Sequence, residues 1–278
     1  MELTFLVENN SLIGTQFRAE PGLSMFIRVD DRKILFDTGY SDAFMVNARR
    51  KEIDLLHLDW IALSHGHFDH TWGLDHLIRH YFEAAIHKVD HARPRLVAHP
   101  KAFMSKRKEA VPELGMLLAE EKLSAQFDLT LTDRPTWLTD SLVTLGEIER
   151  VLDFEAGNTL GERMEKNGPV ADDLPDDTAL ACVTKDGLVV ISGCAHAGIC
   201  NTVEQARRVT GVDTVRAVLG GFHLQKAKPE RLAPTADYLA ALDLEGLWCC
   251  HCTDLAAKIG LAQKCPVREV GAGMTLTF

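Results

Sequence analysis

Residues 60–82 constrain this chain more than any other stretch. The run Trp60-Ile61-Ala62-Leu63-Ser64 reads as a short buried strand. It leads into SHGHFDHTWGL, residues 64–74, where three histidines and an aspartate fall within six positions. Beyond Asp69, the residues Leu74, Leu77, Ile78, Tyr81 and Phe82 recur at helical spacing. The polar cluster therefore sits where a strand ends and a helix begins. Residues two apart on a strand end face the same side, so His65 and His67 can both reach one metal ion. Once the chain turns into the helix, Asp69 and His70 point to a neighbouring position, and one short segment offers ligands to two adjacent cations. Gly66 lets the backbone pass closely between the histidines. Imidazole and carboxylate donors suit Zn²⁺ first, with Fe or Mn²⁺ as alternatives. A histidine-rich helix cap is the competing reading, and it makes four ligand-type side chains at this spacing an accident.

Around this junction the pattern is that of a layered α/β protein. LTFLVEN, GLSMFIRV and KILFDTG read as strands, the last two joined by a hairpin turn at Asp30-Asp31-Arg32. A helical stretch is expected around 41–56. A second hairpin is expected at Lys185-Asp186-Gly187, between TALACVT and LVVISG. Three strand–helix alternations follow, with helices around 199–209, 229–242 and 253–264, and the chain closes with VREVG and MTLTF. Residues 84–170 are less regular, with a helix candidate at GMLLAEEKL and a polar segment around FDLTLTDRPTWLTD. The expected organisation is one domain from 1–83 and 171–278, interrupted by an inserted or capping subdomain over 84–170.

The 278 residues are 46% hydrophobic, enough for one large core or two modest ones. The formal charge of −10 opposes sequence-independent binding to nucleic acid, whose phosphates demand a basic face. No apolar run approaches a membrane span, and MELTFLVENN alternates like a strand rather than a signal segment. Seven cysteines, an odd number away from framework spacings, fit reduced thiols in the cytoplasm. HKVDHARPRLVAHPKAFMSKRK, residues 87–108, is locally positive. It reads either as a solvated surface or as a rim attracting an anionic, phosphate-bearing small molecule.

HGHFDH matches the HxHxDH signature of the metallo-β-lactamase superfamily, and Ile34-Leu35-Phe36-Asp37-Thr38-Gly39 matches the Asp-Thr-Gly element that precedes it there. With GLSMFIRV, VAHPKAF, DDTALACV, GLVVISGCAHAGICNTV, AVLGGFHL and CCHCTD, the chain resembles the branch that includes the archaeal dihydropterin synthases. Those enzymes join a dihydropterin diphosphate to a ribofuranosylaminobenzene phosphate and release pyrophosphate. The resemblance implies a four-layer αββα sandwich with an inserted α+β subdomain, and one or two divalent metal ions at an edge. It implies His65, His67, Asp69, His70, His196 and His251 as ligands. Cys194 stands where many members carry a bridging aspartate, and stays open between a thiolate ligand and a small buried residue. His223 stays open between ligand, substrate contact and core histidine.

Asp69 and Asp37 are the expected catalytic carboxylates, Asp37 by orienting a ligand imidazole rather than by binding metal. His223, Trp72 and His99 are the expected substrate-side residues. His87 and His91 lack the glutamate of a zincin motif and read as structural or rim residues. Cys249, Cys250 and Cys252 lack the CxxC spacing of a zinc knuckle. The chain departs from the branch at Pro21, where many members have histidine, at Trp72, where they have glycine, and in LGEIER, which matches only partly. The metal chemistry therefore transfers better than the substrate. Hydrolysis of an ester, phosphodiester or lactone and the synthase reaction use the same ligands. A nuclease, disfavoured by the acidic balance, and a non-catalytic metal or redox sensor are the other classes.

Overall fold

A computed structural model describes residues 1–157 and 159–278. The described residues form two compact units: Met1–Thr132 with Leu160–Asp172 and Gly271–Thr277, and Asp133–Thr159 with Asp173–Val270 and Phe278.

The first unit is built on a seven-stranded sheet in the order Thr275–Thr277, Glu2–Val7, Ser24–Val29, Arg32–Phe36, Trp60–Ala62, Arg95–Ala98 and Asp128–Leu131. Its hairpin turns on Asp30 and Asp31, with φ of 50° and 57°. A two-residue turn matching strand twist needs both residues left-handed, which aspartate tolerates better than most. From Arg32–Phe36 onward the strands pair in parallel. Parallel neighbours require crossovers, supplied by the helices Ala43–Arg50, Phe68–Thr71 with Leu74–His87, and Glu120–Gln126. Leu35, Phe44, Ile61, Leu74, Leu77, Tyr81, Leu96 and Phe127 share one core.

Sequence and structure differ at three helix or strand ends. The helix expected over 41–56 stops at Arg50, and Glu52 follows with φ of 55°. The GMLLAEEKL helix begins only at Glu120, where two acidic residues favour the first turn. VREVG contributes a single bridge, Val267 to Leu247. Residues 84–170 supply strands to both large sheets, at Arg95–Ala98 and Asp128–Leu131 in one and at Thr136–Trp137 and Leu142–Thr144 in the other. They also supply a three-stranded sheet of Lys106–Arg107, Glu162–Glu165 and, running to Ala171, Gly168–Ala171.

The second unit carries a six-stranded sheet in the order Gly246–Cys250, Val215–Gly221, Gly187–Ser192, Ala179–Thr184, Leu142–Thr144 and Thr136–Trp137. Its first three strands are parallel, joined by the helices Ile199–Thr210 and Pro229–Ala240. Every residue of Gly187–Ser192 is buried, as expected of a strand covered on both faces. Among the described residues no helix is long and apolar enough to cross a membrane.

A buried carboxylate ties the small sheet together. Asp172 is fully buried, with the Lys106 ammonium at 3.6 Å and the Arg163 guanidinium at 3.4 Å. Removing it takes a carboxylate partner from the buried Lys106 ammonium and from Arg163, which costs several kcal/mol at such sites. Asp172→Ala is expected to lower stability by about 3 kcal/mol, read as a drop in the urea midpoint.

Candidate functional site

In open α/β sheets, ligand-facing side chains gather beyond the carboxyl ends of parallel strands. In the first unit, Asp37, Ser64–His70 and His99 all follow such ends. Asp37 is fully buried, and its φ of 58° is left-handed. Its Oδ1 accepts from Ser64 N–H at 2.7 Å, while Oδ2 lies 2.6 Å from Ser64 Oγ and 2.7 Å from His70 Nδ1. Thr38 donates from both its N–H, at 2.8 Å, and its hydroxyl, at 3.0 Å, to the His70 carbonyl. The Asp-Thr-Gly element therefore clamps the turn that carries the histidines. Glycine is required at two close approaches: a Cβ on Gly66 would lie 2.1 Å from the Ala102 carbonyl oxygen, and one on Gly73 would lie 2.1 Å from that of Thr38.

His65 Nε2 and His67 Nδ1 are 2.9 Å apart. The His65 ring centroid is 4.6 Å from that of His67 and 4.3 Å from that of His70. Asp69 Oδ1 lies 4.0 Å from His70 Nε2. Nitrogen ligands on one tetrahedral Zn²⁺ are roughly 3.3 Å apart, so this donor set fits a divalent cation with small adjustments. Trp72 is half-buried, stacked on Tyr40 at 5.5 Å, and donates its indole N–H to the Gly115 carbonyl at 2.9 Å. His99 is buried and caps the turn Pro100–Phe103, its Nδ1 accepting from Lys101 N–H.

The second unit repeats the arrangement with different residues. Cys194 and His196, His223, and His251 and Cys252 lie in the three loops that follow Gly187–Ser192, Val215–Gly221 and Gly246–Cys250. Ala195, His223 and His251 hold left-handed φ of 52°, 48° and 52°. Non-glycine residues take this conformation at a cost, and such positions concentrate at functional sites. Cys194 Sγ is 3.3 Å from Cys252 Sγ, and the His196 and His223 ring centroids are 4.2 Å apart. The ligand atoms of Cys194, His223 and Cys252 all lie within 4.8 Å of one another.

Two buried acids position the His196 loop, and neither was singled out by sequence reasoning. Asp177 Oδ2 accepts from Ala197 N–H at 2.8 Å. Glu155 accepts from Cys200 N–H at 3.0 Å and Asn201 N–H at 2.8 Å, at the start of the helix Ile199–Thr210. A Cβ on Gly198 would meet the Glu155 carboxylate at 2.1 Å, so the loop passes this acid with no room to spare. DDTALACV did carry a signal for Asp177: an acid placed against the start of a buried strand must find backbone donors. Glu155 had none, being forty-five residues from the amide it caps.

The chain belongs to the metallo-beta-lactamase superfamily, whose family model matches residues 18–209. It is 34% identical over 270 residues to the 7,8-dihydropterin-6-methyl-4-(beta-D-ribofuranosyl)-aminobenzene-5'-phosphate synthase of Methanocaldococcus jannaschii, covering 91% of this chain and 87% of that protein. An uncharacterized protein of the same organism is 28% identical, with 94% of each chain covered. A solved metal-dependent hydrolase of the beta-lactamase superfamily is similar with a TM-score of 0.82 and 25% identity, over 100% of this chain and 99% of that one. The chain has the metallo-β-lactamase fold.

Burial pushes the Asp177 carboxyl up from its ordinary 3.8 to about 7, with Asp176 adding to the rise and the Ala197 N–H opposing it. Unfolded, the same group is ionised above about pH 4. Folding therefore takes up a proton between these values, and this group's contribution to stability falls as pH rises from about 4 to about 7. Asp177→Asn is expected to flatten that slope in the metal-free protein. Urea denaturation at about pH 5 and about pH 7.5 checks it; equal slopes in both proteins would contradict it.

Proposed function

We propose that this protein is a metal-dependent enzyme that joins or cleaves a small phosphate-bearing substrate, with synthase-type condensation as the leading reaction. The observation that carries the reading is the convergence of His65, His67, Asp69 and His70 above the buried Asp37, in a chain 34% identical to a synthase over nearly its whole length. The ligands we assign are His65, His67, Asp69, His70, His196 and His251, with Cys194 as a further donor. Zn²⁺ is the leading metal, and Fe or Mn²⁺ the alternatives. The inserted subdomain in this reading is residues 84–170, which hold the strands Lys106–Arg107 and Glu162–Glu165.

A divalent cation held by such donors supplies Lewis acidity toward a charged leaving group. The chain's own residues do the rest. Asp37 fixes the ring orientation of His70 through Nδ1, which leaves Nε2 as the ligand atom. Thr38 holds the His70 carbonyl, so the turn cannot relax when the imidazoles are drawn together. Trp72 and Tyr40 offer a stacked aromatic surface beside this turn, suited to a flat heterocycle. In this reading His99 contacts the substrate's anionic groups.

Hydrolysis is the second reading, favoured by the similarity to the solved metal-dependent hydrolase. The two separate in one assay. Metal-loaded protein is given a dihydropterin diphosphate with and without an aryl amine phosphate. A coupled product and pyrophosphate formed only when the amine is present support the synthase. Release of phosphate regardless of the amine supports the hydrolase, and turnover of neither substrate nor of a generic phosphodiester would overturn the enzyme reading.

His65→Ala combined with His67→Ala is expected to lower the metal content and abolish the activity with the fold retained, read by elemental analysis and circular dichroism. Asp37→Asn keeps the shape but offers a neutral partner to His70. Loss of an orienting carboxylate of this kind typically weakens metal binding about 10–100-fold, which a chelator competition measures.

A further inference from the structure

We propose that Cys194, Cys252 and His223 form a thiolate-rich site for a soft divalent cation such as Zn²⁺, built wholly within the second unit. This goes beyond the ligand set above by assigning Cys252 and His223 to metal and by pairing Cys194 with a second thiolate.

The geometry is that of a site rather than of packed thiols. The two sulfurs are 3.3 Å apart. That is far outside a disulfide bond of about 2.05 Å, and close to the roughly 3.7 Å between two sulfurs on one tetrahedral zinc. The His223 N–H donates to Cys252 Sγ at 3.1 Å, a hydrogen bond that favours the ionised sulfur. His223 Nδ1 is buried and has no hydrogen-bond partner among the described residues. Gly221 keeps the space open, since a Cβ there would lie 2.8 Å from Cys252 Sγ. The three donors come from three successive loops at the carboxyl ends of parallel strands, and His223 itself holds the left-handed region.

Comparison with the other cysteines sharpens the distinction. Burial raises the thiols of Cys200 and Cys265, and pushes that of Cys249 up to about 11. Those are packing residues. Cys252 instead faces the Cys194 sulfur at 3.3 Å and accepts the His223 N–H at 3.1 Å. Three protein donors leave a fourth position open, the pattern of sites that exchange a water or substrate ligand.

Cobalt substitution tests this with a readout independent of turnover. Wild-type protein loaded with Co²⁺ is expected to show a thiolate-to-cobalt charge-transfer band in the near ultraviolet. Cys252→Ser and Cys194→Ser should each reduce it to about half. The His65→Ala, His67→Ala double variant should keep the band while total metal content falls. A band untouched by Cys252→Ser and lost in the double variant would overturn the proposal, assigning Cys194 alone to the family-type centre. Absence of any thiolate band would overturn it as well, whatever the fate of the proposed enzyme activity. Alkylation guards against a folding artefact in the serine variants. In wild-type protein, Zn²⁺ should slow iodoacetamide labelling of Cys252 about tenfold or more, and equal rates with and without Zn²⁺ would count against the site.

Discussion

One fully buried carboxylate organises the first unit. Withdrawing Asp37 from water would cost several kcal/mol if its oxygens were unpaired, and the chain meets that demand with the Ser64 N–H, the Ser64 hydroxyl and the His70 imidazole. These contacts join the end of Arg32–Phe36 to the turn after Trp60–Ala62. They therefore fix how three histidines and Asp69 emerge from the sheet. The close passages at Gly66 and Gly73 follow from the same clamp, because the turn lies flat against neighbouring backbone and leaves no room for a Cβ.

The second unit reaches a comparable arrangement by another route. Its loops are held by acids that accept from backbone amides, Asp177 at Ala197 and Glu155 at Cys200 and Asn201. Holding the backbone leaves the side chains of Cys194, His196 and His223 to converge on one another. The left-handed residues Ala195, His223 and His251 are the conformational cost of that convergence.

Legibility in the sequence tracked how local each feature is. The helices Ile199–Thr210, Pro229–Ala240 and Leu255–Ala262 were readable because strand and helix alternate with short connections. HGHFDH was readable because four ligand-type residues share one run. Residues 84–170 were not, because their strands pair with distant partners: Asp128–Leu131 joins Arg95–Ala98, and Leu142–Thr144 joins Ala179–Thr184. The Cys194–His223–Cys252 cluster was unreadable for the same reason, since each of its members lies twenty-nine residues from the next, as the His223–Cys252 pair shows. The tight run Cys249-Cys250-His251-Cys252 drew attention to neighbours in sequence. Yet Cys249 packs into the hydrophobic core while Cys252 turns to Cys194.

Trp72 bears on the substrate because of what surrounds it. A glycine there, as in the resembling branch, would leave open the volume that the indole fills between Tyr40 and Phe68. The indole is also anchored, through its N–H, to the Gly115 carbonyl, in the segment that leads to the Glu120–Gln126 helix. Gly115 is bound in turn by the Glu113 carboxylate, which also accepts from Lys106 N–H. One side chain thus links the histidine turn to the strand that enters the small sheet. Tryptophan at this point fills the space beside the histidine turn and ties that turn to the neighbouring segment. The candidate ligands and this aromatic cluster rest on different contacts: the histidine turn on Asp37, and Trp72 on Tyr40, Phe68 and the Gly115 carbonyl.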